Sequence, residues 1–227
     1  MAAILYPLYA VLYAGLLIYG IYVYRQTRAW STVFLLAVTF GVFYDNLILS
    51  IGRLLGEGAL LQNLSWPRFI LHQVVLPLLI PAVFMQARRA ARTWNRSQLF
   101  LHRFALPVVW AFTLLTIALG VATRLVGQTL EPELLDGVLR YSAMHVSGPP
   151  LVSLLSIGFA GLVGWFFWRR SGWPWLFWIT LAVFVGEGLP VKGLRLVLGS
   201  GLEQVFMWVA FQTERWSLRL ERQGAGK

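Results

Sequence analysis

Apolar residues crowd into seven stretches of this chain, at 4 to 24, 30 to 51, 69 to 87, 104 to 122, 149 to 168, 173 to 190 and 195 to 214, separated by polar and turn-forming residues. A helix rising about 1.5 Å per residue needs roughly 20 such residues to cross a hydrocarbon core of about 30 Å. The pattern therefore predicts an all-α, polytopic transmembrane bundle of seven helices, in a single domain over 1–227. Pro149-Pro150 and Pro174 stand where spans five and six open, as proline does in a first helical turn. Pro77, Pro81 and Pro107 fall inside spans three and four and predict kinks there. Span six is short, and Gly193, Gly199 and Gly201 blur the start of span seven. The first stretch has no basic region before it and no Ala-x-Ala pattern, so it reads as a retained span rather than a removed signal. No fixed-period repeat is visible.

Charge gives this bundle a direction. Of the 19 Lys and Arg, the first, third and fifth loops and the C-terminal tail hold 13, and the other loops 6. Arg88, Arg89, Arg92, Arg96 and Arg103 weigh most. By the positive-inside rule the N-terminus lies outside and the C-terminus in the cytoplasm. Trp30, Trp165, Trp168, Trp173, Trp175 and Trp216 then fall at the cytoplasmic helix ends, as an interfacial belt would.

Composition agrees and removes several chemistries. The chain is 58% hydrophobic and only 12% charged, with mean hydropathy +0.68, too apolar for an ordinary soluble domain. Its net charge of +10 is spread between apolar spans rather than along one face, which suits lipid headgroups and topology and argues against nucleic acid. The absence of cysteine excludes disulfides, thiolate catalysis and Cys-ligated zinc.

Polar residues inside the spans concentrate on one side. Asp45 lies within span two, between Tyr44 and Asn46; an ionisable group there is costly unless partnered or wetted, and marks a functional pocket by default. His72 is near the start of span three, Glu187 near the end of span six and Glu203 in the first half of span seven. His145 precedes span five, and Tyr6, Tyr9 and Tyr13 occupy the outer half of span one. These side chains are expected to form one layer roughly 5 to 15 Å beneath the outer surface. Asn46, Ser50, Arg53 and Glu57 would form one polar stripe if helix two continued outward. Arg53 is the natural counter-ion for Asp45 or Glu57, with Arg68, Lys192 and Arg195 as alternatives. A permanent pair would make Asp45 a staple, whereas apolar surroundings would make it a proton donor. In the long fourth loop, Glu131-Pro132-Glu133-Leu134-Leu135-Asp136 followed by Val138, Leu139 and Tyr141 suggests a short interfacial helix, either a lid over the outer mouth or a connector resting on the bilayer.

Cofactor chemistries fare poorly. A bis-His haem would need His72 and His145 at one depth. A zinc hydrolase would need Asp45 or Glu203 beside both histidines, and the His-x-x-x-His pair of the seven-helix ceramidase and progesterone-receptor families is absent. A retinal Schiff base lacks a lysine deep in span seven, and Ser147 has no partner pattern for a catalytic dyad. No metal and no cofactor is expected.

An acid site with aromatic walls remains. Asp45, Glu187 and Glu203 would act as acids or bases and His72 as a proton relay. Tyr6, Tyr9, Tyr13, Tyr44, Asn46, Arg53 and His145 would contact substrate, with Trp208 offering a further π-face. Protonated carboxyls among aromatic faces that stabilise cations suit protonation of an isoprenoid. In layout the chain resembles the membrane-integral terpene cyclases of meroterpenoid biosynthesis, which have seven spans, one acid in an early helix and another in the last. The resemblance implies a proton-donor role for Asp45 and an acid role for Glu203, although Tyr44-Asp45 stands where those enzymes carry Trp-Glu. Residues 41 to 72 also look like the distinctive segment of a family of small polytopic bacterial proteins. The expectation is an enzyme acting on a membrane lipid or isoprenoid in the bacterial inner (plasma) membrane. The alternative is a non-catalytic subunit, assembly factor or lipid sensor with partner membrane proteins. A transporter ranks last, because the cytoplasmic halves of most spans look almost purely apolar.

Overall fold

The computed structural model describes residues 2–91, 99–144, 149–187 and 192–225. Its helices are α1 (Ala2–Thr27), α2 (Trp30–Leu55), α3 (Ala59–Val74), α4 (Leu79–Ala91), α5 (Leu99–Arg124), α6 (Leu151–Ser171), α7 (Trp175–Glu187) and α8 (Lys192–Ala225). A 3-10 turn at Leu76–Leu78 joins α3 to α4, so these two form one kinked rod and the helical segments number seven among the described residues. Five of them, α1, α2, the α3–α4 rod, α5 and α6, are long and apolar enough to cross a membrane. Their outward faces fit that solvent: Ile4, Val11, Ile18, Leu115 and Leu162 are all at least 66% exposed, a surface that in water would be an aggregation liability.

The kink follows from Pro77, which cannot donate to the carbonyl one turn back and converts the local ladder to a tighter turn. Pro81 sits in the first turn of α4, where a missing N–H costs nothing, and α5 continues through Pro107. The rod starts ten residues before the apolar stretch at 69, because Ala59–Arg68 is helical although it carries Gln62, Asn63, Ser65 and Pro67. Helix α8 is one 34-residue helix, about 51 Å long.

Helices α2, α4 and α8 form the centre, and their shared core holds Leu35, Val38, Leu79, Val83, Phe206 and Phe211, all nearly inaccessible. Close approach depends on glycine. A Cβ on Gly164 of α6 would lie 2.7 Å from the backbone nitrogen of Phe177 in α7, and one on Gly20 would lie 2.6 Å from Leu36 and Phe211. Such small-residue contacts are how helices associate where lipid removes the hydrophobic drive.

The loop after α5 is not the interfacial helix that its acids and proline suggest. It is an antiparallel hairpin, β1 (Leu130–Leu135) and β2 (Val138–Ala143), turning at Asp136-Gly137 with both residues at positive φ. Asp-Gly between alternating apolar residues supplies the mirror-image turn whose twist matches paired strands, and this overrides helix propensity. Glu133 faces Arg140 across the pair at 2.8 Å and accepts from Ser142 at 2.6 Å. The hairpin packs on the end of α2 and the start of α3. Tyr141 Oη accepts from the Gly58 N–H at 3.1 Å, and the Leu139 carbonyl rests on Gly52, leaving no room for a side chain there. This marks a hairpin end of the bundle, opposite the arginine end where Arg88 and Arg89 close α4.

Candidate functional site

Asp45 in α2 and Arg68 in α3 meet near the hairpin end. Arg68 Nε donates to Asp45 Oδ1 at 2.6 Å. The arginine is buried, at 9% exposure, while the carboxylate is 37% exposed because it faces a cavity. Arg53, the expected counter-ion, is exposed and lies beside the hairpin turn at Gly137 instead. Helix α2 stops at Leu55 because Gly56 takes positive φ and returns its N–H to the Gly52 carbonyl. Glu57 is therefore off the helix, and the polar stripe from Asn46 does not reach it.

The cavity, of about 210 Å³, is lined by polar groups toward the hairpin end, here called its mouth, and by apolar side chains beyond them. Asp45, Arg68, His72, Ser200 and Glu203 form the mouth; Val38, Leu79, Ile157, Val183, Phe206 and Met207 line the rest. Asp45 and Val38 are seven residues apart on one helix, so the depth is about 10 Å. The kink makes this space, since Val75, Leu76 and Leu79 around the 3-10 turn line it. A second cavity of about 270 Å³ abuts the first and shares Asp45, Arg68 and His72 with it. Its far wall is Gln73, Thr123 and Arg124 with the first turn of α6, Leu151, Val152 and Ser153. His72 Nε2 lies 3.0 Å from Ser153 Oγ, tying α3 to α6 across it. Arg124 donates to the Pro149 carbonyl at 2.6 Å.

Three of the expected residues, Asp45, His72 and Glu203, thus reach one cavity. The tyrosines support it from behind. Tyr13 is fully buried and donates to the Ser200 carbonyl at 3.3 Å, while Tyr9 packs on Gly201. Tyr44 donates to the Leu64 carbonyl at 3.0 Å, which helps fix α2 against α3. Tyr6 is buried with Leu49 and Val138 under the hairpin. Asn46 is buried and bonds to the Val42 carbonyl one turn back at 2.8 Å, away from the cavity. Glu187 ends α7, but its side chain, like His145 and Ser147, lies outside the described residues. Trp208 is half-exposed on the outer surface. Comparison with protein-family models, with curated proteins and with solved structures finds no match to this chain.

Sequence reasoning missed two sets of polar groups. Arg124, Ser153 and Gln73 belong to the second cavity; their signal, polar residues at the abutting ends of spans three, four and five, was weak because it required knowing which ends are neighbours. At the arginine end, Glu214 of α8 is fully buried and accepts from Arg89 of α4 at 2.6 Å, with Glu221 3.6 Å from the same guanidinium. Gln86 is buried beside them and donates to the Ala210 carbonyl at 3.1 Å. The arginine-end halves of α4 and α8 are thus not purely apolar. Trp173 and Trp216, expected in an interfacial belt, stack on each other at 5.1 Å, and Trp173 donates to Thr213 at 3.0 Å. Trp30 and Trp175 do face outward. No cluster of three or more His, Asp or Glu placed to hold a metal occurs among the described residues.

Proposed function

We propose that this chain is an integral membrane enzyme that binds a lipid or isoprenoid in the cavity between α2, the kinked rod and α8 and acts on it by acid-base chemistry. The observation that carries the reading is the lining of that cavity: an apolar shaft bordered at one end by a carboxylate, an imidazole and a second carboxylate. An apolar chain fills the shaft and presents its polar or unsaturated end to Asp45, His72 and Glu203. The Asp45 carboxylate already accepts from Arg68, so its role shifts from proton donor to base or cation stabiliser, with His72 relaying and Glu203 the candidate acid. An isoprenoid cyclase or isomerase is the reaction class this suits, in line with the layout resemblance to terpene cyclases. Seven crossings of a bacterial inner membrane belong to this reading, and charge asymmetry favours the hairpin end outside and the arginine end in the cytoplasm.

Mass spectrometry of lipids co-purified with the protein tests the reading directly. An isoprenoid or lipid present in the wild type and lost from a variant with the shaft filled, Val183→Trp, is the expected result; equal lipid in both contradicts it. A second reading draws on the Asp45–Arg68 contact itself, which ties α2 to α3 as a structural staple would. In that case the chain is a non-catalytic subunit or sensor, and Asp45→Asn disrupts assembly rather than turnover.

A further inference from the structure

We infer that the second cavity is an anion chamber, and that the ligand is an amphiphile carrying a phosphate ester, its head in this chamber and its chain in the apolar shaft. The inference rests on the lipid-binding reading above and specifies its substrate class.

Charge is the first ground. Arg68 and Arg124 both line the chamber, Arg124 held there by the Pro149 carbonyl, and Asp45 is the one acidic side chain among its described lining residues, with His72, Ser153 and Thr123 as further polar groups. Arginine presents a planar fork of donors that matches phosphate oxygens. The second ground is an unspent donor. Arg68 is nine-tenths buried, only its Nε is held by Asp45, and its Nη1 is buried without an acceptor among the described residues. A charged guanidinium leaves a buried N–H without an acceptor at considerable cost; Arg68 lines the chamber, so a small turn of its guanidinium toward a ligand oxygen there would complete it. The third is the start of α6. Pro150 at the N-cap provides no side-chain cap, and Leu151, Val152 and Ser153 of the first turn face the chamber. The Leu151 N–H already donates to the Pro149 carbonyl at 2.9 Å, which leaves the amides of Val152 and Ser153; first-turn amides lack acceptors within their helix and lie at the positive end of its dipole, which favours an anion.

Contiguity supplies the amphiphile. The chamber and the shaft share Asp45, Arg68 and His72, so a molecule occupying both passes these three residues at the junction of head and chain. A free phosphate would fill only the chamber; a neutral lipid would leave Arg68 unsatisfied.

Binding by the purified full chain in a neutral, phosphate-free detergent separates these cases, with farnesyl phosphate, farnesol and inorganic phosphate as probes. Farnesyl phosphate is expected to bind at least tenfold more tightly than farnesol and than inorganic phosphate. Arg124→Gln should weaken farnesyl phosphate at least tenfold and leave farnesol unchanged, whereas Arg53→Gln, on the exposed surface, should change neither. A thermal melt shows that both variants are folded, and Arg124→Lys, which keeps the charge, should recover part of the loss. Equal binding of alcohol and phosphate, or equal effects of the Arg124 and Arg53 variants, would overturn the anion chamber while leaving the lipid reading intact. Inorganic phosphate binding as tightly as the ester would overturn the amphiphile. If neither isoprenoid binds, the lipid reading itself fails and this inference falls with it.

Discussion

Asp45 and Arg68 are each other's only close ionic partner among the described residues, and their chemistry differs from that of an isolated intramembrane acid. Replacing Asp45 by Asn removes the charge and keeps the shape. If the carboxylate acts as base or cation stabiliser, turnover on an isoprenoid substrate should fall by about 10²- to 10⁴-fold, with the detergent melting temperature little changed; a collapse in expression with no activity in the parent favours the staple. The arginine end behaves differently, because Glu214 is fully buried against Arg89. Truncating one partner of a buried pair typically costs about 3–5 kcal/mol, so Glu214→Leu should be strongly destabilised in a denaturation series, and Arg89→Met with Glu214→Leu should recover most of the loss. That Asp45 needed a counter-ion was legible in the sequence. That Arg68 supplies it, rather than Arg53 eight residues along the same helix, was not, because the choice depends on where α2 stops and how α3 leans on it.

At the level of elements, the apolar stretches located the helices well, since length and hydropathy are local properties of the chain. Two errors came from competing local signals. The first turns of α3 carry Gln62, Asn63 and Pro67, and hydropathy alone placed the start of that helix too late. In the hairpin, Pro132 and its acidic neighbours suit a helical first turn, but the positive-φ turn at Asp136-Gly137 outweighs them. That turn makes a prediction. Gly137 adopts φ of +80°, where a side chain is strained by about 1–2 kcal/mol, so Gly137→Ala should lower the melting temperature. Because no hairpin residue lines either cavity among those described, ligand affinity should be unaltered. A parallel loss of affinity would mean that the hairpin is a lid after all.

Across the whole molecule, the arrangement of loops by charge predicts a sidedness that chemistry can read. The chain has no cysteine, so single cysteines introduced at exposed Leu134 in the hairpin and exposed Arg219 near the end of α8 report without background. A membrane-impermeant maleimide added to intact cells should label the first and reach the second only after permeabilisation; the reverse would invert the bundle. The convergence of polar groups near one end was legible from their positions along the spans. The second cavity was not, because it is enclosed by helix ends whose adjacency no single sequence states.

The kinked rod carries an arginine toward each end, Arg68 clasped by Asp45 of α2 and Arg89 by Glu214 of α8. A bar bolted at both extremities to different neighbours can neither slide nor rotate as a unit without breaking an ionic contact. Whatever yielding occurs when a guest enters or leaves must be taken up between the bolts, at the three-residue 3-10 turn whose Leu76 lines the shaft.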